Sequence, residues 1–269
     1  MKAWLLFLIL LLSIQATAAD SLKLIASRSL SARFITTDNL GNTYAILNDN
    51  TIARYNGHGD STGYYHSALN GDMEYIDATN PLRILIYYPS FNTVALLDNQ
   101  LVLKTEIDLS KLNILTPTAV AIASDGNLWV YDPVNALLLK LDENGNTVTS
   151  GIDLRQQLSF VPNASSLLEK DRRIYLCDTS QGILIFDQFA TYVSTLPFKG
   201  IPRIQAFDQQ ILFMRMDSLH NYNMQSFQER QFGIPYPKDG IVQARLNPGL
   251  LAVLYRNHLA FYAWNNNGQ

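Results

Sequence analysis

Four histidines are the first residues to consider for metal or acid–base chemistry, and they are His58, His66, His220 and His258. A metal site needs several imidazole, thiolate or carboxylate ligands that converge on one point. Two histidines on one element share a face only at spacings such as i, i+2 or i, i+4, and no two of these have such a spacing. Their neighbours are polar residues typical of loops. We therefore expect solvated loop histidines and no metal site.

The nucleophiles of the sequence also lack partners. Cys177 is the only cysteine, and it lies in the apolar segment RRIYLCDTS with no histidine nearby to activate its thiol. A small buried hydrophobic residue is the simpler interpretation of such a cysteine. The sequence has no phosphate-binding GxxxxGK[ST] loop and no HExxH pair. It predicts no catalytic residue and no cofactor, so we expect a protein that is not an enzyme.

The segment NGHGDSTGYYHSALNGD, residues 56–72, is the most unusual candidate for a binding loop. It is rich in glycine and aspartate but lacks the DxDxDG ladder and the final glutamate of an EF-hand calcium loop. Tyr64 and Tyr65 lie within it, and exposed tyrosines are effective contact residues in protein interfaces. We expect this loop to bind a partner and not an ion.

The charge of the chain excludes one class of partner. The formal net charge is −3, and the lysines and arginines are scattered singly along the sequence. A nucleic-acid-binding surface needs a basic stripe that neutralises successive phosphates. We therefore expect no nucleic-acid partner.

The first residues have the pattern of a secretory signal. Lys2 precedes an apolar run from Ala3 to Leu12, and small residues follow up to Ala19. A membrane span needs about 20 apolar residues, which is roughly twice this run. The sequence thus predicts a signal peptide over residues 1–19, a periplasmic or secreted mature chain, and no transmembrane segment after cleavage. The alternative is a membrane anchor.

A repeat organises the rest of the chain. FITTDNLGNTYAILNDNTIARYN from Phe34 and AVAIASDGNLWVYDPVNALLLKLD from Ala119 match almost position for position. Turns at Asn39–Gly41 and Asp125–Gly126 supply residues that tolerate positive φ, as tight hairpins require. Weaker copies of this strand–turn–strand–turn–strand unit begin near Tyr75, Ser166, Arg203 and Val242.

Six such units at intervals of about 40 to 45 residues are typical of the blades of a β-propeller. We therefore predict an all-β fold, a six-bladed β-propeller over residues 20–269. The last unit has only three strands, and Leu22–Leu30 is an unassigned strand at the other end. We expect the N-terminal strand to complete the last blade, because an open ring would leave sheet edges exposed. A two-sheet sandwich is the alternative, but it does not explain six copies of one unit.

The pattern DGNLWVYDPVNALLLKLDENGN, and more loosely LGNTYAILNDNTIARYNGHGD, resembles the NHL-type propeller repeat. Two of the six units carry this pattern well and four only in outline. The resemblance implies a propeller architecture and, for most proteins of this kind, binding of proteins, peptides or glycans, with a minority of lactonases and lyases. It does not specify one function.

A propeller would bring the starts of its inner strands together at one mouth of the central channel. These positions are Arg33, Glu74, Thr118, Ser165, Arg203 and Gln243. Two guanidiniums with one carboxylate suit an anionic ligand better than a metal ion. We take Arg33, Glu74, Arg203 and Arg245 as candidate ligand-binding residues at the channel mouth. The alternative is that these four charges only neutralise one another.

Five aromatic residues are candidates for a partner-binding face, namely Tyr64, Tyr65, Phe198, Phe232 and Tyr236. Linkers from an outer strand to the next inner strand all emerge on one side of a propeller, so we expect these residues to share a face. The alternative is that Phe198, Phe232 and Tyr236 fill gaps between blades.

These features together favour a non-catalytic, exported binding or scaffold propeller of the bacterial cell envelope that contacts another envelope or secreted protein. Two other interpretations stay open. One is a lactonase or lyase with a degenerate channel site, and the other is a module that binds a carbohydrate or small anion.

Overall fold

The computed structural model describes residues 22–235 and 240–264, and within these ranges the chain forms 24 strands, one α-helix and two short 3-10 helices. The strands are β1 Lys23–Ser29, β2 Ala32–Thr37, β3 Thr43–Leu47, β4 Thr51–Tyr55, β5 Ser61–His66, β6 Tyr75–Asp77, β7 Ile84–Tyr88, β8 Thr93–Leu97, β9 Leu103–Asp108, β10 Ala119–Ile122, β11 Leu128–Asp132, β12 Leu137–Leu141, β13 Thr147–Ser150, β14 Ala164–Lys170, β15 Arg173–Asp178, β16 Gly182–Asp187, β17 Tyr192–Leu196, β18 Ile204–Phe207, β19 Gln210–Arg215, β20 Ser218–Asn223, β21 Gln228–Gly233, β22 Ile241–Asn247, β23 Leu250–Tyr255 and β24 His258–Ala263. Helix α1 is Leu154–Leu158, and the 3-10 helices are Pro89–Phe91 and Leu109–Leu112.

The strands form six four-stranded antiparallel sheets, which are the blades of a six-bladed propeller. Blades 1 to 5 are β2–β5, β6–β9, β10–β13, β14–β17 and β18–β21, and blade 6 contains β22, β23, β24 and β1. The predicted all-β, six-bladed fold is therefore confirmed. The predicted signal peptide, residues 1–19, lies outside the described residues.

A recurring turn explains why the repeat is visible in the sequence. Asn56, Asp98, Asp142 and Asp187 each begin the turn between the third and fourth strands of a blade. In each, the side-chain Oδ1 accepts the backbone N–H groups two and four residues later, at 2.8 to 2.9 Å. The side chain thus replaces backbone partners that the turn lacks, which is why aspartate or asparagine recurs at this position.

The core is divided into six clusters, one between each pair of neighbouring blades. Tyr44 and Tyr88 lie between blades 1 and 2, and Trp129 and Phe186 between blades 3 and 4. The cluster around Phe261 joins blade 6 to blade 1. Each blade buries both faces of its sheet in this way, so the ring as a whole supplies the apolar area that stabilises it.

The N-terminal strand β1 is the outer strand of blade 6. It pairs antiparallel with β24, in a register that runs from Lys23 opposite Ala263 to Ser29 opposite His258. Arg28 on this strand reaches the turn of blade 1, where its Nε donates to the Gly59 carbonyl at 2.6 Å. The first and last of the described strands therefore share one sheet.

Antiparallel order gives the propeller two distinct faces. One face carries the linkers between blades and the turns between second and third strands, and we call it the linker face. The opposite face carries the hairpin turns between first and second and between third and fourth strands, and we call it the hairpin face. The inner strands β2, β6, β10, β14, β18 and β22 surround the central channel and begin at the linker face.

Candidate functional site

The structure brings the four predicted channel residues to one cavity. Arg33, Glu74, Arg203 and Arg245 line a space of about 490 Å³ at the channel mouth on the linker face. The other lining residues are mainly apolar, and they include Phe34, Met73, Pro89, Pro202, Met214 and Val242. A volume of this size is within the range of small-molecule sites, which are mostly apolar with a few convergent polar groups.

Arg33 has a structural role in this arrangement. Its guanidinium donates to the Leu47 carbonyl at 2.7 Å, to the Asn50 side-chain oxygen at 2.7 Å and to the Met73 carbonyl at 2.8 Å. These bonds tie the end of β3 to the linker that leads into blade 2. Most of the donor capacity of Arg33 is thus used within the protein.

The alternative of mutual neutralisation is not what the structure shows. Among residues 22–235 and 240–264, no ion pair within 4.0 Å involves Arg33, Glu74, Arg203 or Arg245. Glu74 lies at the rim of the cavity beside Asp72. The guanidiniums deeper in the channel therefore have no carboxylate in contact.

Arg203 is held by aromatic rings in place of an acid. Its guanidinium carbon lies 5.0 Å from the ring centre of Phe34 on β2 and 5.0 Å from that of Tyr75 on β6. The two rings themselves meet edge to face at 5.5 Å. Arg203 precedes β18 in blade 5, which is opposite blade 2 in a ring of six, so its side chain crosses the channel. Cation–π contacts of this kind fix the position of the charge without cancelling it.

Arg245 is the buried member of the pair. It lies on β22 with 7% of its surface exposed, and its Nε makes one long hydrogen bond, 3.4 Å, to the Ile35 carbonyl. Burial, and then the positive charge of Arg203, lower the pKa of Arg245 to about 10. Both effects mean that the environment disfavours the charged form, although the residue stays protonated at neutral pH.

The channel continues to the hairpin face through a second, more polar space of about 270 Å³, which Arg203 and Arg245 also line. Asp77 at the end of β6 is buried there, and burial raises the pKa of its carboxyl group. Its oxygens accept from the Thr79 amide at 2.9 Å and from the Ile122 amide of blade 3 at 2.9 Å. Asp77 therefore fastens two blades together.

Similar side-chain bridges join other blades, and the sequence analysis did not anticipate them. Gln243 accepts from the Ile35 amide at 2.9 Å, and Gln205 accepts from the Leu246 amide at 2.8 Å. Glu169 accepts from the Ser124 amide at 3.0 Å. The available signal was a polar residue within an apolar inner strand, where only a hydrogen-bonded side chain is tolerated.

The prediction that residues 56–72 form one loop is wrong. Residues 61–66 form β5, the outer strand of blade 1, because an outer strand has one exposed edge and few buried positions and so carries a polar sequence. Tyr64 on this strand is 62% exposed, whereas Tyr65 packs against the core between blades 1 and 2. Both lie on the rim of the propeller and not on a loop of the linker face.

The other predicted face residues are packed between blades where the structure describes them. Phe198 contacts Phe213 at 5.0 Å and Tyr222 at 4.9 Å between ring centres. Phe232 contacts Trp264 at 5.1 Å. This is the gap-filling alternative of the sequence analysis. Tyr236 lies outside the described residues.

The expectation of solvated histidines is wrong for His220. This residue lies on β20, where its ring stacks on Phe213 at 5.4 Å and its Nδ1 contacts Glu229 at 2.6 Å. The surrounding sequence SLHNYN is mostly polar although every residue of β20 is buried or half-buried, so its composition does not indicate a strand. Cys177 is buried as expected, and burial raises the pKa of its thiol to about 11.

The string GDSTG at residues 59–63 has the spacing of a nucleophile motif, G-x-S-x-G, which the sequence analysis missed. That motif requires a sharp turn from a strand into a helix. Here Ser61 is the exposed first residue of β5, pairs with Tyr55 of the preceding strand, and has no hydrogen-bonded histidine among the described residues. The local structure does not fit a nucleophile elbow.

Residues 22–235 and 240–264 contain neither a metal-binding cluster nor a membrane-spanning helix. No group of three or more histidine, cysteine, aspartate or glutamate side chains is placed to hold a metal ion there. None of the helices in those ranges has the length and apolar character needed to cross a bilayer.

Comparison with known proteins identifies the fold. The chain is similar to a structure described as streptogramin B lyase, with 10% identity and a TM-score of 0.58 over 88% of this chain and 94% of that one. It is also similar to virginiamycin B lyase from Staphylococcus aureus, with 11% identity and a TM-score of 0.62 over 89% and 99%. The Pan2 WD40 domain of Neurospora crassa aligns with 8% identity and a TM-score of 0.56 over 91% and 96%.

These similarities support the propeller architecture that the NHL-type resemblance implied. The neighbours include both an enzyme and a WD40 domain, and at about 10% identity they show the fold alone. No family model matches the chain, and no curated protein sequence matches it.

Proposed function

We propose that this chain is an exported, non-catalytic binding propeller whose ligand site is the channel mouth on the linker face. The observation that carries the proposal is the cavity of about 490 Å³ there, lined by apolar side chains around two guanidiniums without an acid partner. Ligand pockets combine a mainly apolar wall with a few polar groups that orient the ligand. This mouth has both features.

A substitution that fills the mouth tests the site. Val242 lines the cavity and is 47% exposed, so Val242→Trp places an indole in the mouth without disturbing a core cluster. Val148→Trp is the matched control, because Val148 is 54% exposed on the outer strand of blade 3. Calorimetric titration with a panel of small carboxylates and short peptides should show binding that Val242→Trp abolishes and Val148→Trp retains. Equal binding by both variants would place the site elsewhere.

Incubation with the same ligands distinguishes a binding protein from an enzyme. The lyases among the structural neighbours make an enzyme the second candidate. Against it stands the lack, within the described ranges, of a cluster that could hold a metal ion. Ligand recovered after long incubation should be chemically unchanged by mass spectrometry. A product that forms with the wild type and not with Val242→Trp would instead support a lyase or lactonase.

A protein partner on the linker face is the finer proposal, and we expect it to be another exported protein of the cell envelope. Phe91 and Met216 are exposed on this face, each two residues from a residue that lines the cavity. The double variant Phe91→Ser/Met216→Ser should lose cross-linking to that partner in envelope preparations. Phe189→Ser/Phe227→Ser is the matched control, since these residues are exposed on the hairpin face. Equal loss in both variants would argue against a linker-face interface.

Export is proposed on the pattern of residues 1–19 alone. Expression of the full chain with periplasmic fractionation, followed by N-terminal sequencing, should give a mature protein that begins near Ala19 or Asp20. A cytoplasmic protein that retains Met1 would contradict export while leaving the channel proposal intact.

A further inference from the structure

Two guanidiniums share the central channel, and the acids that line the same spaces, among them Asp72, Glu74 and Asp77, do not pair with them. Arg203 and Arg245 line the same two channel spaces, and neither forms an ion pair within 4.0 Å among the described residues. The charge of Arg203 is one of the causes that lower the pKa of Arg245. Like charges in a site of reduced dielectric repel each other, and an anion between them would remove the repulsion.

The donors of this pair are mostly unused. Arg245 is more than nine-tenths buried, and its one hydrogen bond goes from Nε to the Ile35 carbonyl. No hydrogen bond joins either of its terminal nitrogens to another of the described residues, and its side chain lines the cavity. Arg203 makes cation–π contacts and no hydrogen bond through its side chain to the described residues. A carboxylate is a planar acceptor that matches a guanidinium fork with two parallel hydrogen bonds.

The surroundings limit the rest of the ligand. The wall between the pair and solvent is formed largely by Phe34, Met214, Val242 and neighbouring apolar residues. Asp72 and Glu74 stand at the rim, where they would repel a second negative charge. The ligand that fits therefore carries one anionic group at its inner end and an apolar body toward the mouth.

We infer that the Arg203–Arg245 pair is a recognition site for the carboxylate of a monoanionic ligand with an apolar body. A free small acid and the C-terminus of a peptide with an apolar last residue present the same chemistry. The inference rests on the proposed function, because it names the ligand class of that same cavity.

The test compares acids with their amides, which have nearly the same shape and no charge. The probes are 3-phenylpropanoate with 3-phenylpropanamide, and the tripeptide N-acetyl-Ala-Ala-Phe with its C-terminal amide, each titrated into the mature chain by calorimetry. We expect at least one acid to bind about tenfold or more tightly than its amide, which corresponds to ~1.4 kcal/mol. A preference for the tripeptide acid over 3-phenylpropanoate identifies a polypeptide end as the source, and the reverse identifies a free acid.

Substitutions assign the preference to the pair. Arg203→Gln/Arg245→Gln should bring the acid-to-amide ratio to within about twofold. Arg155→Gln is the matched control and should retain the ratio, because Arg155 lies on helix α1, pairs with Asp153 at 2.8 Å and does not line the cavity. Arg203→Lys keeps the charge but loses the planar fork, so it should give an intermediate acid-to-amide ratio. This variant replaces the double variant in the test if the double variant fails to fold. Circular dichroism and thermal melting establish folding for each variant.

The two proposals fail in different ways. Acid and amide that bind equally, both blocked by Val242→Trp, would overturn the carboxylate site and leave the channel as a neutral binding cavity. Absence of binding by every acid and amide, or binding that Val242→Trp does not change, would overturn the carboxylate site together with the proposed channel mouth.

Discussion

Glu169 joins blades 3 and 4 from a buried position, and its removal should show how much such bridges contribute to stability. Its carboxylate accepts from the Ser124 amide at 3.0 Å, from the Ser124 hydroxyl and from the indole N–H of Trp129. The Lys140 ammonium lies 4.0 Å away and also pairs with Asp125 at 2.8 Å. Trp129 is fully buried, so water cannot replace its lost acceptor.

In Glu169→Ala the indole N–H stays buried without a partner, which costs about 1–3 kcal/mol, and the loss of the charged acceptor adds to this. We expect a destabilisation of about 2–4 kcal/mol, or about 5–15 °C in melting temperature for a domain of this size. Glu169→Gln should cost about half as much, because its amide accepts one of these bonds but presents an N–H group to the other donor.

The matched control is Asp125→Asn, which removes the other acid partner of Lys140 at an exposed position. Asn keeps an acceptor oxygen for the Lys140 ammonium, which also stays near Glu169, so this variant should cost about 1 kcal/mol and melt within a few degrees of the wild type. Urea unfolding followed by the combined fluorescence of Trp129 and Trp264 measures all three variants. If Glu169→Ala were no less stable than Asp125→Asn, the view that buried side-chain bridges fasten the blades would be refuted.

Three further predictions follow from backbone geometry, ring closure and burial. A Cβ at Gly182, where φ is +120°, would lie 2.3 Å from the Leu196 carbonyl oxygen, so Gly182→Ala should lower the free energy of unfolding in urea by more than about 3 kcal/mol. Gly200→Ala, where φ is +74° and no atom lies within 4 Å of the added Cβ, should lower it by only about 1–2 kcal/mol. Similar losses in the two variants would contradict the steric argument. Removal of residues 22–30 should lower the melting temperature of the whole ring, because it exposes the edge of β24, and a truncated protein that melted with the intact one would argue against closure by β1. The thiol of Cys177, with a pKa of about 11, should resist iodoacetamide at about pH 8 in the folded protein and react after denaturation; rapid modification of the folded protein would contradict its burial.

The architecture could be predicted because turn chemistry repeats with the blades. Asp98, Asp142 and Asp187 occupy equivalent turns, and each accepts the same two backbone N–H groups. A turn of this kind is a local property of a few residues, so it is visible without knowledge of the fold. The inner strands followed the predicted starts closely, as β6 begins at Tyr75 and β10 at Ala119.

The outer strand of blade 1, β5, could not be predicted in the same way. β5 contains Gly63 and alternates exposed with half-buried residues, so its sequence resembles a loop. Its strand conformation comes from pairing with β4, which is a tertiary interaction. The placement of Tyr64 and Tyr65 was wrong for this reason.

The sequence predicted which charged residues line the channel mouth, but not which partners each of them contacts. The sequence indicated that Arg33, Glu74, Arg203 and Arg245 would meet, and they do line one cavity. Which guanidinium is engaged depends on partners distant in the chain, such as Met73 for Arg33 and Tyr75 for Arg203. Only the folded ring reveals that the two deeper arginines lack an acid.

The most direct test of the channel as the ligand site is a crystal structure of the mature chain with 3-phenylpropanoate or N-acetyl-Ala-Ala-Phe bound. The account predicts electron density for a carboxylate between the guanidiniums of Arg203 and Arg245, with the apolar body directed toward Met214 and Val242 at the linker face. Ligand density at the outer rim of the propeller or on the hairpin face, with only solvent at the channel mouth, would contradict the account.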